Sequence, residues 1–311
     1  MLTCILKVND NTRWSQNGIT VCGGNQRGNG LNQLYHPMGI CVDDDEETIY
    51  IADSFNQRII ECKYGTTNGK IVAGGNGSGD QDDQMSRPTD IVINKENDCF
   101  IICDQGNNRI VRWPRRNGTS GQTIISNIVC TGLAMDNNGY FYTSDLKTSE
   151  VRRWIIGDPR GVVVAGGNGQ GSRLNQLDGP GYLFVDQDYS IYISDEHNRR
   201  VIKWIKGATQ GIIVAGGHGI GNDLSQLASP RGVIADKSGT VYVADYINNR
   251  IMCWFKEAKR GTIVIDGNNE DDESRQLSYP QDLSFDRQGN LYVVDFGNDR
   301  IQRFNIVSNS S

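Results

Sequence analysis

Short apolar segments of four to six residues, separated by Gly, Asn, Asp and Pro, follow one another along almost the whole chain. Residues 230–236, 241–245, 250–254 and 261–265 form one such group of four. Short segments rich in β-branched and aromatic residues, with turn residues at every break, are typical of strands. No helical period of useful length is found. The pattern therefore predicts an all-β fold.

The chain also repeats itself. Six segments with the pattern Asp-x-x-Asn-x-Arg, or a variant of it, begin at Asp53, Asp104, Asp145, Asp195, Asp245 and Asp295, at intervals of 51, 41, 50, 50 and 50 residues. Each unit has room for four short strands. Repeats of about 40 to 50 residues with four strands each are typical of β-propellers. We therefore expect a six-bladed β-propeller of four-stranded blades.

The two ends of the chain complement each other. The last unit stops after its third strand, at Phe304, whereas residues 18–23 match the fourth-strand pattern with no three strands before them. We expect 3+1 closure, in which the N-terminal strand completes the last blade and removes a free sheet edge. Residues 15–311 then form the propeller, and residues 1–14 are an N-terminal extension that the pattern does not place.

The repeated segments carry a family resemblance. The phrase Tyr-(Ile/Val)-Ala-Asp-x-x-Asn-x-Arg-(Ile/Val), at residues 50–59 and 242–251, resembles the NHL repeat, and the resemblance extends over nearly the whole chain. It implies a six-bladed NHL propeller but no particular function. The histidine that gives the family its name is replaced in all six repeats, by Gln57, Asn108, Ser149, Arg199, Asn249 and Asp299.

Residues that recur in every repeat are interpreted as structural. Five of the six motif aspartates are followed five residues later by an arginine, and a carboxylate facing a guanidinium would fix the loop between them. The recurring second-strand tyrosines and third-strand tryptophans are expected to pack inside and between blades. The tryptophans are Trp113, Trp154, Trp204 and Trp254.

Composition narrows the class of function. The 311 residues include 31 Lys and Arg against 37 Asp and Glu, a net charge of −6, which argues against nucleic acid as a partner. No apolar stretch reaches the roughly 18 residues of a membrane span. Residues 1–8 are too short for a secretory signal, so extracellular and cytoplasmic locations both stay open. The eight cysteines lack paired metal-ligand spacing and are interpreted mainly as small apolar residues, with disulfide pairing left open.

Candidate catalytic groups are few. The three histidines, His36, His197 and His218, are expected on one face of the ring but in different blades, which argues against a three-histidine zinc site. No Ser-His-Asp or Cys-His motif is evident. We therefore interpret the chain as a non-enzymatic binding module, a monomeric ring that recognises a protein or small polar ligand through its loop face. A hydrolase or lyase with a metal at the central channel is the alternative, and an RNA-binding NHL domain is the second.

Acidic residues are expected to dominate the loop face. Asp80, Asp82 and Asp83 precede blade 2 and residues 270–273 precede blade 6, so the two acidic loops flank blade 1. Most of the remaining basic residues fall on the opposite rim. At the second position after the proline, Asp90 and Asp282 stand where blades 1 and 5 have glycine. Their carboxylates are candidate ligands at the channel mouth for a hard cation such as Ca²⁺.

The third repeat departs from the others twice. The segment that leads into it, residues 126–132, is about ten residues shorter than its equivalents, and Glu150 stands where five repeats have arginine. Lys147 is then the nearest replacement cation for Asp145. A missing loop leaves a notch in the rim, and concave breaks in a rigid scaffold favour binding. We expect a recognition surface for a basic or polar partner, bordered by Asn127, Leu146, Lys147, Thr148, Ser149 and Glu150.

Overall fold

The computed structural model describes residues 12–267 and 276–307. These residues form an all-β ring of six sheets, each with four antiparallel strands, so the predicted fold class is confirmed. The first strands of neighbouring blades contact each other around a central channel. The fourth strand of each blade is outermost.

Two short strands precede the first complete blade, β1 (Arg13–Trp14) and β2 (Ile19–Gly23). Blade 1 then contains β3 (Pro37–Asp43), β4 (Thr48–Asp53), β5 (Arg58–Lys63) and β6 (Gly69–Gly74). Blade 2 contains β7 (Pro88–Asn94), β8 (Cys99–Asp104), β9 (Arg109–Pro114) and β10 (Gln122–Ser126). Blade 3 contains β11 (Cys130–Met135), β12 (Phe141–Asp145), β13 (Glu150–Ile155) and β14 (Asp158–Gly166).

The second half of the ring repeats this order. Blade 4 contains β15 (Pro180–Val185), β16 (Ile191–Asp195), β17 (Arg200–Trp204) and β18 (Ile212–Gly216). Blade 5 contains β19 (Pro230–Ala235), β20 (Val241–Asp245), β21 (Arg250–Trp254) and β22 (Thr262–Asp266). Blade 6 contains β23 (Pro280–Phe285), β24 (Leu291–Asp295) and β25 (Arg300–Phe304), and β26 (Ile306–Val307) follows it.

Single 3-10 turns connect the second and third strands of five blades. They span Ser54–Asn56, Gln105–Asn107, Glu196–Asn198, Tyr246–Asn248 and Phe296–Asn298. No helix among the described residues is long and apolar enough to span a membrane.

Strand β2 closes the ring. It pairs with β25, so that Ile19 lies opposite Arg303 and Gly23 opposite Arg300, and the predicted 3+1 closure is confirmed. Further upstream, β1 pairs with β26. The indole of Trp14 is buried between blades 5 and 6, and its N–H donates to the carbonyl of Gly289 at 2.9 Å. The two termini are therefore joined twice, and residues 1–11 lie outside the described part of the chain.

Apolar side chains are buried between neighbouring blades. Each of six hydrophobic clusters draws its strand residues from two adjacent blades, which explains why the strands are apolar on both faces. The third-strand tryptophans are only 2–6% exposed and the second-strand tyrosines are buried as well. Their interpretation as blade packing is confirmed.

In five blades the repeated Asp-Arg pair ties the lead-in loop, the segment that precedes a blade's first strand, to that blade. In blade 1, Nε of Arg58 donates to Asp53 at 2.7 Å, and its terminal nitrogens donate to the carbonyls of Asn29, Gly30 and Gln33. Both charged side chains are almost fully buried. Equivalent ion pairs at 2.7–2.9 Å occur in blades 2, 4, 5 and 6. The motif is therefore structural, as predicted.

Four cysteines form disulfides between adjacent blades. Cys22 of the closing strand is bonded to Cys62 of blade 1, and Cys103 of blade 2 is bonded to Cys130 of blade 3. Cys41 and Cys99 are free thiols. The sequence left disulfide pairing open, and these two pairs cross-link neighbouring blades.

Candidate functional site

A constriction crosses the channel at the second residue after the start of each first strand. Large side chains alternate there with glycine around the ring, in the order Gly39, Asp90, Gly132, Tyr182, Gly232 and Asp282. The glycines make room for their neighbours. A Cβ on Gly132 would lie 2.7 Å from Cα of Tyr182, and a Cβ on Gly232 would lie 2.6 Å from Cα of Asp282.

The two aspartates of the constriction brace neighbouring blades. Asp90 accepts hydrogen bonds from the amides of Ile91 at 2.8 Å and Leu133 at 2.6 Å. Asp282 does the same for Leu283 at 2.8 Å and Ile40 at 3.0 Å. Burial raises the pKa of Asp282 to about 7. Burial, together with the nearby carboxylate of Asp282, also raises the pKa of Asp90.

Calcium binding at Asp90 and Asp282 stays a prediction. Each of their four carboxylate oxygens already accepts an amide hydrogen. Within residues 12–267 and 276–307, no three His, Cys, Asp or Glu side chains are arranged to hold a metal ion. Because Ca²⁺ takes about six to eight oxygens, water or a ligand would have to complete such a site.

Tyr182 lines a cavity in the central channel. Its hydroxyl crosses from blade 4 to donate to the carbonyl of Met38 in blade 1 at 3.2 Å, and it accepts from Nε2 of Gln281 at 3.2 Å. The cavity has a volume of about 190 Å³ and also borders Asp44, Lys95 and Arg287, which lie beyond the ends of the first strands. Its wall combines aliphatic first-strand side chains, such as Ile40, Ile91 and Leu133, with charged ones, such as Asp43, Asp90 and Asp282.

The notch in blade 3 is only partly accessible. Leu146, Lys147 and Thr148 are exposed, whereas Ser149 and Glu150 are buried. Glu150 accepts from Nε of Arg152 at 2.6 Å. At this site the expectation for Lys147 was wrong. Asp145 is satisfied by the Thr148 hydroxyl and by the backbone amide of Lys147, both at 2.9 Å.

Asn127 borders the notch on its lead-in side. Its backbone has a left-handed conformation, with φ of +60°. The next amide, that of Ile128, donates to the carbonyl of Asn108 in blade 2. The Cys103–Cys130 disulfide cross-links the same junction, so the shortened segment is held in place despite its missing loop.

Six aromatic side chains meet on the loop face of blades 5, 6 and 1. We call this group the aromatic crescent, and its members are Tyr35, His36, Phe55, Tyr246, Tyr279 and Phe296. The centroids of successive rings lie 4.5–6.0 Å apart, and His36 stacks on Phe296 at the closest of these distances. Phe55 is 39% and Tyr279 45% exposed, and the other four are half-buried. The crescent is a continuous aromatic surface shared by three blades.

Charges around the crescent are paired internally. Arg27 lies over the ring of Tyr35 at 5.0 Å and donates to Asp299 at 2.9 Å. Arg231 lies over the ring of Tyr246 at 5.1 Å and is paired with Glu196 at 2.9 Å. Both of these arginines therefore have a carboxylate partner.

His36 lies in the middle of the crescent and behaves as an aromatic ring. Its Nδ1 atom is buried with no hydrogen-bond partner among the described residues. Burial lowers its pKa, against the opposing effect of Asp299, whose carboxylate accepts from the His36 backbone amide. The neutral imidazole is thereby favoured.

Sequence reasoning missed the crescent, although the sequence carried a signal. The residue directly after the motif aspartate is Tyr246 in blade 5 and Phe296 in blade 6, but Gln105, Leu146 or Glu196 in blades 2, 3 and 4. The residue before the first-strand proline likewise provides His36 and Tyr279. Comparing equivalent positions across repeats would have revealed three adjacent aromatic blades.

The other candidate groups do not assemble into a site. The acidic residues 270–273 lie outside the described part of the chain. The lead-in loop of blade 2 reaches the start of the fourth strand, where the carbonyl of Asp82 accepts from the amide of Gly121. His197 is exposed and its Nδ1 lies 2.8 Å from Asp178. On the opposite rim, Arg115 is paired with Asp43.

Comparison with known proteins identifies the repeat. The sequence model of the NHL repeat matches residues 277–304. The last blade therefore contains an NHL repeat, and the chain folds as a six-bladed β-propeller. A search of curated proteins finds no match.

Several solved structures share the fold. A protein of unknown function from Bacteroides thetaiotaomicron is 16% identical, with 95% of this chain and 77% of that chain covered and a TM-score of 0.72. An auxiliary nutrient binding protein from Bacteroides ovatus is 13% identical, with coverage of 98% and 76% and a TM-score of 0.64. A gluconolactonase from Xanthomonas campestris is 11% identical, with coverage of 98% and 97% and a TM-score of 0.65. At these identities the likeness concerns the fold alone.

Proposed function

We propose that this propeller is a non-enzymatic binding module that recognises a protein or small polar ligand through its loop face. The observation that carries the proposal is the aromatic crescent. Aromatic rings are normally buried, and a contiguous half-exposed group of them marks an interaction surface. The scaffold beneath it is rigid, because its blades are joined by hydrogen bonds, ion pairs and two disulfides.

Two other functions have less support. A metal-dependent hydrolase or lyase needs a cluster of ligands, and none with three or more members occurs among the described residues. The gluconolactonase fold is similar, but fold alone does not transfer activity. An RNA-binding face needs unpaired basic residues beside its aromatic rings, and the two arginines at the crescent are paired with carboxylates.

The proposal can be tested by exchanging exposed side chains on the two faces. Screens against a glycan array and a random peptide library would first provide ligands. We expect the double variant F55A/Y279A to lose their binding and I205A to keep it, since Ile205 is 47% exposed and follows the third strand on the opposite rim. Binding that survives F55A/Y279A but not I205A would contradict recognition through the loop face. Catalytic turnover of a bound compound would contradict the non-enzymatic role.

A further inference from the structure

Two tyrosines of the crescent combine an aromatic ring with an unused hydroxyl. The rings of Tyr246 and Tyr279 lie 4.9 Å apart. Among the described residues neither hydroxyl has a hydrogen-bond partner, although Tyr246 is half-buried. A tyrosine hydroxyl can both donate and accept. This end of the crescent therefore offers apolar ring surface and hydrogen-bonding groups side by side.

An amide side chain adds to these groups. Oδ1 of Asn249 accepts from the backbone amide of Tyr279 at 2.9 Å, which fixes the orientation of the side chain. Among the described residues its Nδ2 amide group has no acceptor, so it can donate to a ligand. Asn249 occupies the position of the histidine that names the repeat. Its side chain therefore has both a structural contact, through Oδ1, and a polar group that a ligand can use.

The electrostatics of the crescent favour an uncharged ligand. Arg27 and Arg231 are both paired, with Asp299 and Glu196 respectively. An anionic ligand would have to compete with these carboxylates, and a cationic ligand would approach the same arginines. Because charges that are already paired add little attraction for a charged ligand, affinity has to come from ring contacts and neutral hydrogen bonds.

We propose that the aromatic crescent binds a neutral oligosaccharide, an inference that rests on the proposed binding function and specifies its ligand. A pyranose ring presents C–H groups with slight positive charge, which are attracted to the electron-rich faces of aromatic rings. Its hydroxyls can donate to and accept from Tyr246, Tyr279 and Asn249. The crescent extends over three blades, so its ligand is an oligomer that contacts several rings.

The test uses defined sugars and matched tyrosine variants. Probes are neutral oligosaccharides of glucose, mannose, xylose and N-acetylglucosamine, an acidic oligosaccharide of galacturonic acid, and an apolar peptide. Calorimetric titration is expected to detect one or more neutral sugars, with affinity about tenfold weaker in Y279A and about threefold weaker in Y279F. Y189A is the matched control, because Tyr189 lies in the loop after the first strand, on the opposite face, under Lys206. Its affinity should be unchanged.

Other outcomes separate the two proposals. If only the acidic oligosaccharide or only the peptide bound, and Y279A abolished that binding, the ligand would not be a neutral oligosaccharide. The proposed binding function would still stand. Neutral-sugar binding that Y246A and Y279A leave unchanged would also overturn the assignment. If no probe and no member of the screening libraries bound the loop face, both proposals would fail. Melting temperatures of all variants identify any loss of affinity that is due to unfolding, and the conservative Y279F variant retains the ring.

Discussion

A Cβ atom on Gly39 would lie 2.5 Å from Oδ1 of Asp90, far inside van der Waals contact. The two residues face each other across the junction of blades 1 and 2, beside the channel. On its other side, the strand of Gly39 donates from the amide of Ile40 to Asp282. Glycine at position 39 therefore allows two buried carboxylates to lie on either side of one strand.

Alanine at position 39 should destabilise the ring. The added methyl group must displace Asp90 or the backbone of Thr89, and overpacking of this kind costs about 1–3 kcal/mol. Thermal or denaturant unfolding measures the effect. Gly181 is the matched control, because it also lies in a first strand but has no atom closer than 3.7 Å to its built Cβ. A destabilisation in G181A as large as that in G39A would contradict the packing argument.

The double variant G39A/D90A provides a second check on the same contact. Removing the carboxylate relieves the 2.5 Å contact with Oδ1 but leaves the carbonyl oxygen of Thr89 at 2.7 Å and Cα of Asp90 at 2.8 Å, so the two substitutions are expected to be partly non-additive. Strict additivity would mean that these backbone contacts alone cause the destabilisation in G39A.

Stability should fall as pH rises from about 4 to about 7. Burial raises the pKa of Asp282 to about 7 and raises that of Asp90 as well, whereas an unfolded aspartate titrates near about 3.9. The folded protein therefore holds protons that the unfolded chain releases, and the stability associated with them is lost between about pH 4 and about pH 7. Melting temperatures across this range test the expectation, and D282N, which cannot ionise, should reduce the pH dependence. An unchanged dependence in D282N would assign it to other groups.

The repeats made the ring predictable, and the reasons are local. Asp53 and Arg58 lie five residues apart and form their ion pair within one loop, so the sequence contains the whole interaction. The closing strand was predictable because β2 is a fourth strand with no blade of its own. Regular recurrence also separated structural tyrosines and tryptophans from candidate binding residues.

Features that depend on ring closure were harder to predict. His36 and Phe296 stack on each other although 260 positions separate them in the chain, and only closure brings blade 6 against blade 1. The Cys22–Cys62 disulfide could likewise be predicted only by knowing that the N-terminal strand lies beside blade 1. The hydroxyl of Tyr182 crosses the channel to Met38, a contact set by side-chain reach and not by any local pattern.

Loss of the Cys22–Cys62 disulfide should lower the stability of the closed ring. The Cys22–Cys62 disulfide fixes the strand that holds the two termini together, and removing a disulfide typically costs about 2–4 kcal/mol. We expect the variant C22S/C62S to unfold at a lower denaturant concentration than the oxidised protein. Mass spectrometry of unreduced proteolytic fragments should detect the two cross-linked pairs. Fragments with all four cysteines free in protein purified under oxidising conditions would contradict the assignment.

The blade 3 notch is a second candidate binding surface. The burial of its residues shows which side chains can be replaced without disturbing the fold. Because Glu150 is buried and paired with Arg152, replacing it would disturb the fold, so the better variant is L146A/K147A, which changes only exposed side chains. Leu146 occupies the position of Phe296, and Lys147 that of Gly297, in a blade without the aromatic crescent. If the notch contributes to recognition, this variant should weaken binding of any loop-face ligand at least about threefold with no change in melting temperature, since a small set of central contacts carries most of the binding energy. Full affinity in L146A/K147A, together with a loss in F55A/Y279A, would restrict recognition to blades 5, 6 and 1.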